Sequence, residues 1–73
     1  MSSLPQVSGQ EFVRAVQRAG IHSRRVEGSH IILRRQRPFA QLVVPDHKEL
    51  DRGTLRAIIR QSGLTVDEFT QLL

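Results

Sequence analysis

Residues 27–45 read EGSHIILRRQRPFAQLVVP, and the parsing of this stretch decides the fold. Gly28-Ser29 is a turn dipeptide, Gln36-Arg37-Pro38 forms a second turn, and Pro45 lacks the amide that a strand ladder needs. Between these breaks, residues 30–35 and 39–44 are rich in Ile, Leu and Val and read as two strands. Upstream, residues 21–26 (IHSRRV) are short, β-branched at both ends and polar between, and read as a further strand. Turns this short join antiparallel neighbours, so the three strands form a meander. Alternation puts Leu42 and Val44 on one face of the last strand. It leaves the face of His30 open, because Ile31, Ile32 and Leu33 are all apolar.

Helices flank the strands. Ser8-Gly9-Gln10-Glu11 has the spacing of a capping box, in which the serine and glutamate side chains each bind the other's backbone amide. Phe12, Val13, Val16 and Ala19 follow at helical spacing, and Gly20 stops the run, which predicts a helix over residues 9–19. Asp51 is placed to cap a second helix carrying Leu55, Ile58 and Ile59 inward and Arg52, Arg56 and Arg60 outward. Ser62-Gly63 ends it, and Thr65 to Glu68 is a second capping box opening a short last helix with Phe69 and Leu72. Residues 1–7 read as a loose leader to a single domain spanning residues 1–73. The class is α+β: a three-stranded antiparallel sheet with helices packed on one face and a short extra C-terminal helix.

With 73 residues, the chain buries only about 60% of its unfolded surface, so its stability is modest. It has no cysteine, which removes disulfides, thiolate nucleophiles and cysteine-bearing zinc sites. No apolar run approaches the roughly 18 residues of a membrane span, and MSSLPQVSG is not a signal peptide, so a soluble cytoplasmic protein is expected. The formal net charge is +4, and ten of the eleven cationic side chains are arginine. Arginine's planar fork suits phosphate, which points to nucleic acid or an acidic protein surface as the partner.

Few reaction classes fit these residues. His22, His30 and His47 are scattered, with neither helical i, i+4 spacing nor cysteine, so no metal site and no cofactor are expected. No paired carboxylates suggest glycoside hydrolysis, and Gly-Ser-His lacks the lysine of a phosphate-binding loop. RNA, by contrast, carries its own nucleophile in the 2′-hydroxyl. Its cleavage needs a proton acceptor, a proton donor and cations for the developing charge. Histidine titrates near neutrality and arginine supplies charge without a metal. His30 is the candidate base or acid. Arg25, Arg34 and Arg35 are candidates to hold phosphate, with Arg24 and Arg37 second in line. Gly28 and Ser29 offer backbone amides and a hydroxyl to an approaching phosphate. Lys48 and Arg52 extend the basic track, and His47 is placed to touch RNA or cap the following helix.

Several segments together resemble a known family. Gly20-Ile21, Arg25, Gly28-Ser29-His30, Val44-Pro45-x-His47-x-Glu49-Leu50 and Gly53-Thr54-Leu55-Arg56-x-Ile58-Ile59-Arg60-Gln61-x-Gly63-Leu64 occur in the order and at the distances of the HicA toxins. The chain departs from that pattern at Ile31, where a polar residue is common, and in the arginine-rich hairpin over residues 34–38. The resemblance implies a double-stranded-RNA-binding-like α-β-β-β-α fold. It implies an endoribonuclease that cuts messenger RNA and a cognate HicB-type antitoxin that blocks the site. It implies that His30 is the catalytic histidine, that Gly28 and Ser29 are the preceding motif positions, and that His47 is the second motif histidine.

Three other readings compete. One is a module of the same fold that holds RNA without cutting it. Another is a protein-interaction domain with a basic face. The last is a DNA-binding helix-turn-helix built from the final two helices. Against this last reading, residues 65–73 carry Asp67 and Glu68 and no cation, the wrong charge for a phosphate-lined groove.

Overall fold

A computed structural model describes residues 3–73 apart from the side chain of Ser23. Helix α1 spans Gly9–Arg18. Its capping box forms as the spacing predicts: Glu11 N donates to Ser8 Oγ at 3.0 Å and Ser8 N donates to Glu11 Oε1 at 2.8 Å. Ala19 is the C-cap rather than a helical residue. Gly20 reverses the chain at φ 95°, and Ile21 N donates back to Val16 O. That return buries Ile21 against the helix, so the strand expected from residue 21 begins two residues later. His22 precedes it and is exposed.

Strands β1 (Ser23–Glu27), β2 (His30–Gln36) and β3 (Phe39–Pro45) form an antiparallel sheet in the order β1-β2-β3. Each hairpin loop has two residues. Gly28 supplies φ 60° at the first turn position of the β1–β2 loop, a value that costs an L side chain about 1–2 kcal/mol. In β3, Ala40, Leu42 and Val44 are buried while Phe39, Gln41 and Val43 are exposed, and in β2 Ile31 and Leu33 are buried. One face is therefore covered and the other open.

Helix α2 (Arg52–Gln61) and helix α1 both pack on β3, and α3 (Val66–Gln71) packs on α2. Asp51 caps α2 through Thr54 N at 3.0 Å, and Thr65 and Glu68 form the second capping box at the start of α3. The core joins Phe12, Val13 and Val16 of α1 to Ile31, Leu33, Leu42 and Val44 of the sheet and to Leu55, Ile58, Ile59 and Phe69. Phe12 and Phe69 stack with ring centroids 5.0 Å apart, which ties α3 to the first helix. This is the expected α+β arrangement of double-stranded-RNA-binding type, with α3 as the extra helix.

The reading of residues 1–7 as a loose leader needs correction at its inner end. Val7 is buried, Leu4 packs against the core, and Leu50 N donates to Val7 O at 2.9 Å. Two apolar side chains spaced for burial outweigh the polar composition around them. Met1 and Ser2 lie outside the described residues.

Candidate active site on the open sheet face

The face of His30, which alternation alone left open, follows from the register. His30 pairs with Glu27 on one side and Pro45 on the other, and Ile31 beside it is buried. His30 therefore stands on the open face, exposed. Directly opposite residues share a face with Cβ atoms about 4.5–5.5 Å apart. The rows of this face are thus Glu27, His30 and Pro45, then Arg25, Ile32 and Val43. Arg34 with Gln41 and Gln36 with Phe39 follow.

The loop after β3 is fastened beside His30. Asp46 N donates to Ser29 O at 2.8 Å, Gly9 N donates to His47 O at 2.9 Å, and Gln10 Nε2 donates to Asp46 Oδ1 at 3.2 Å. Gly9 is required here by space: a Cβ on it would lie 2.1 Å from Pro45 O. The bare backbone of the first helical turn thus rests on the end of β3. It backs the Pro45-Asp46-His47 segment, which β2–β3 pairing sets beside Ser29-His30. His47, Lys48 and Arg52 are all exposed on this rim.

The arginines divide between the two faces. Arg25 is on the open face, with its Nε 2.9 Å from Glu27 Oε2, and both side chains are about 60% exposed. Arg34 is also there. Its Nε and one terminal nitrogen both donate to Gln41 Oε1, at 3.2 and 2.8 Å, and its guanidinium carbon is 6.0 Å from the Phe39 ring centroid. Arg35 points the other way. It is half-buried, donates to Pro38 O at 2.9 Å and reaches Ser62 O at 3.5 Å, at the C-terminal end of α2. The sequence grouped Arg34 with Arg35, but strand alternation sends adjacent side chains to opposite faces. Arg24 pairs with Leu33 and so also faces away from His30, and Arg37 is exposed in the second turn.

Two residues of this face were missed in the sequence, Glu27 and Phe39. Each was legible in principle. A two-residue loop sets its flanking residues opposite each other, so Gly28-Ser29 puts Glu27 across from His30, and the second loop, which is Arg37-Pro38 rather than the three residues expected from Gln36, puts Gln36 across from Phe39. The assembled face offers an exposed imidazole, turn amides, two guanidinium groups and a carboxylate, which suits proton transfer next to a bound phosphate.

No helix among the described residues is long and apolar enough to cross a membrane. A search of curated proteins finds no match. A family profile described as the HicA toxin of bacterial toxin-antitoxin matches residues 9–64, well over half of the chain. That span takes in α1, the whole sheet, the fastened loop and α2, every element that builds the open-face site. The chain belongs to the HicA toxin family, and it is accordingly a toxin with an antitoxin partner.

Proposed function

We propose that this toxin is an endoribonuclease that cleaves messenger RNA by metal-independent acid–base catalysis through His30. The observation that carries the proposal is the hydrogen bond from Asp46 N to Ser29 O. It joins the two histidine-bearing segments into one exposed rim. His30 takes the proton of a 2′-hydroxyl. The freed oxygen attacks the adjacent phosphorus, the 5′-oxygen of the next nucleotide leaves and takes a proton from water, and a 2′,3′-cyclic phosphate remains. Arg25 and Arg34 share the face of His30 and stabilise the charge that builds on the phosphate. Gly28 and Ser29 line the approach, and His47, Lys48 and Arg52 extend RNA contact along the rim. Arg35, on the covered face, is left to the fold. The antitoxin is of HicB type and closes this site, and the messenger substrate places the toxin in the cytoplasm.

The test is cleavage of RNA in EDTA, with analysis of product ends. Cyclic phosphate and 5′-hydroxyl ends support the mechanism. RNA bound but uncut by the wild type at any pH and with added divalent ions would leave a binding module. Cleavage that EDTA abolishes and a divalent ion restores would replace the metal-independent route.

A further inference from the structure

Phe12 and Phe69 are buried and stacked on each other, whereas Phe39 is 65% exposed. Its position explains this: Phe39 pairs with Gln36 at the hairpin end of β3, on the sheet face opposite the one that the helices cover. Half-buried Ile32 and exposed Val43 lie on the same face next to the His30 row, and the Arg34–Gln41 pair stands between them and Phe39. Cations share the face. Arg34 is anchored by Gln41 next to the Phe39 ring, and Arg25 stands in the row beside His30.

We infer that the open sheet face is a track for single-stranded RNA, in which Phe39 stacks an unpaired base and Arg34 takes the phosphate beside it. The inference rests on the ribonuclease reading of His30 and extends it to substrate class. An aromatic platform with neighbouring cations is the arrangement that holds single strands, since every base has a face to stack and every nucleotide a charge. A duplex buries those base faces and is gripped through its groove and backbone instead. The scale also fits. From His30 to Gln36, the partner of Phe39, is six residues, about 20 Å at the antiparallel strand rise, a distance that a few extended nucleotides span. The stacked base therefore lies a few nucleotides from the bond that is cut, and Phe39 acts in binding rather than in proton transfer.

The experiment measures binding by fluorescence anisotropy in a His30→Ala background, with a short labelled single-stranded RNA, the same sequence as a duplex, and a series with one abasic nucleotide at each position. Phe39→Ala is expected to weaken single-strand binding about 5- to 100-fold, the range of one base–aromatic stack. Phe39→Trp should keep the affinity and Phe39→Leu should lose it, which separates the ring face from apolar area. One abasic position, a few nucleotides from the cleaved bond, should cost as much as Phe39→Ala and add nothing to it. Equal single-strand affinity for Phe39→Ala, or full retention by Phe39→Leu, overturns the track. So does loss on Phe39→Ala of antitoxin binding alone, which would make the face a protein interface. In each of those cases RNA cleavage by the wild type remains, and the reading of His30 stands. If the wild type neither binds nor cuts RNA, that reading falls and the track falls with it.

Discussion

Glu27 stands opposite His30 because the loop between them has only two residues. Its carboxylate holds the Arg25 guanidinium at 2.9 Å on the same face. On the proposed reading, the arginine that would hold phosphate is engaged by a carboxylate in the free protein, and the exchange would weaken RNA binding. Glu27→Gln removes the competitor and one repulsive charge, so RNA affinity should rise about 3- to 10-fold, the order of an exposed ion pair with its charge effect. Anisotropy in the His30→Ala background measures this. The rise should shrink when Arg25 is also replaced by Gln, and an unchanged rise would show that the pair is not in competition with RNA. Arg35 makes the opposite case. Its bonds to Pro38 O and Ser62 O tie the β2–β3 hairpin to the end of α2. Arg35→Gln should therefore lower stability by about 1–2 kcal/mol in urea melts while leaving RNA affinity near that of the wild type.

At the scale of elements, β2–β3 pairing brings the two histidine segments together, and the start of α1 fastens the loop that follows. Ser8 caps the helix, Gly9 rests on Pro45 O, and Gln10 holds Asp46. Ser8→Ala should cost about 1 kcal/mol of folding stability, read from chemical denaturation. The carboxylates at these caps also set the acid response. Ser8's backbone amide holds Glu11 below its ordinary value of 4.5, and Thr54 does the same for Asp51 below 3.8. A carboxylate depressed in the folded state stabilises fully above its ordinary value, and the gain disappears as pH falls through the lowered one. Urea midpoints of the wild type should accordingly drop between pH 5 and pH 3, on the order of the usual carboxylate range. A Glu11→Gln, Asp51→Asn double variant should start lower at neutral pH and drop less.

Both capping boxes, the N-cap at Asp51 and the Gly28-Ser29 turn were legible in the sequence, because each is a local pattern with one local cause. The inward set Leu55, Ile58 and Ile59 was legible for the same reason. The second turn, by contrast, was read one residue too long, since Gln36 pairs with Phe39 at the end of β2. The face of His30 was hidden by the run Ile31-Ile32-Leu33, and register against β1 and β3 supplied it. Gly9 and Val7 escaped because their partners, Pro45 and Leu50, are remote in sequence.

For the whole molecule, one side of the sheet supplies the core and the other carries the face proposed for the chemistry. A thin, one-sided domain can present His30, Arg25, Arg34 and Phe39 together without burying any of them. Charge on such a surface acts by displacing counterions, so RNA affinity should fall with log salt at a slope of about −0.7 for each phosphate held. With Arg25, Arg34 and the rim cations Lys48 and Arg52 engaged, a slope between about −2 and −3 is expected from titrations over a range of salt, and a flat response would place RNA elsewhere. The assignment of His30 is the claim on which the rest depends. Its most direct test is the single-turnover rate of RNA cleavage in EDTA by the wild type and by His30→Ala of confirmed fold. The rate should fall by about 100- to 10,000-fold, the range supplied by one general acid or base, whereas a folded His30→Ala that cuts as fast as the wild type would contradict the account.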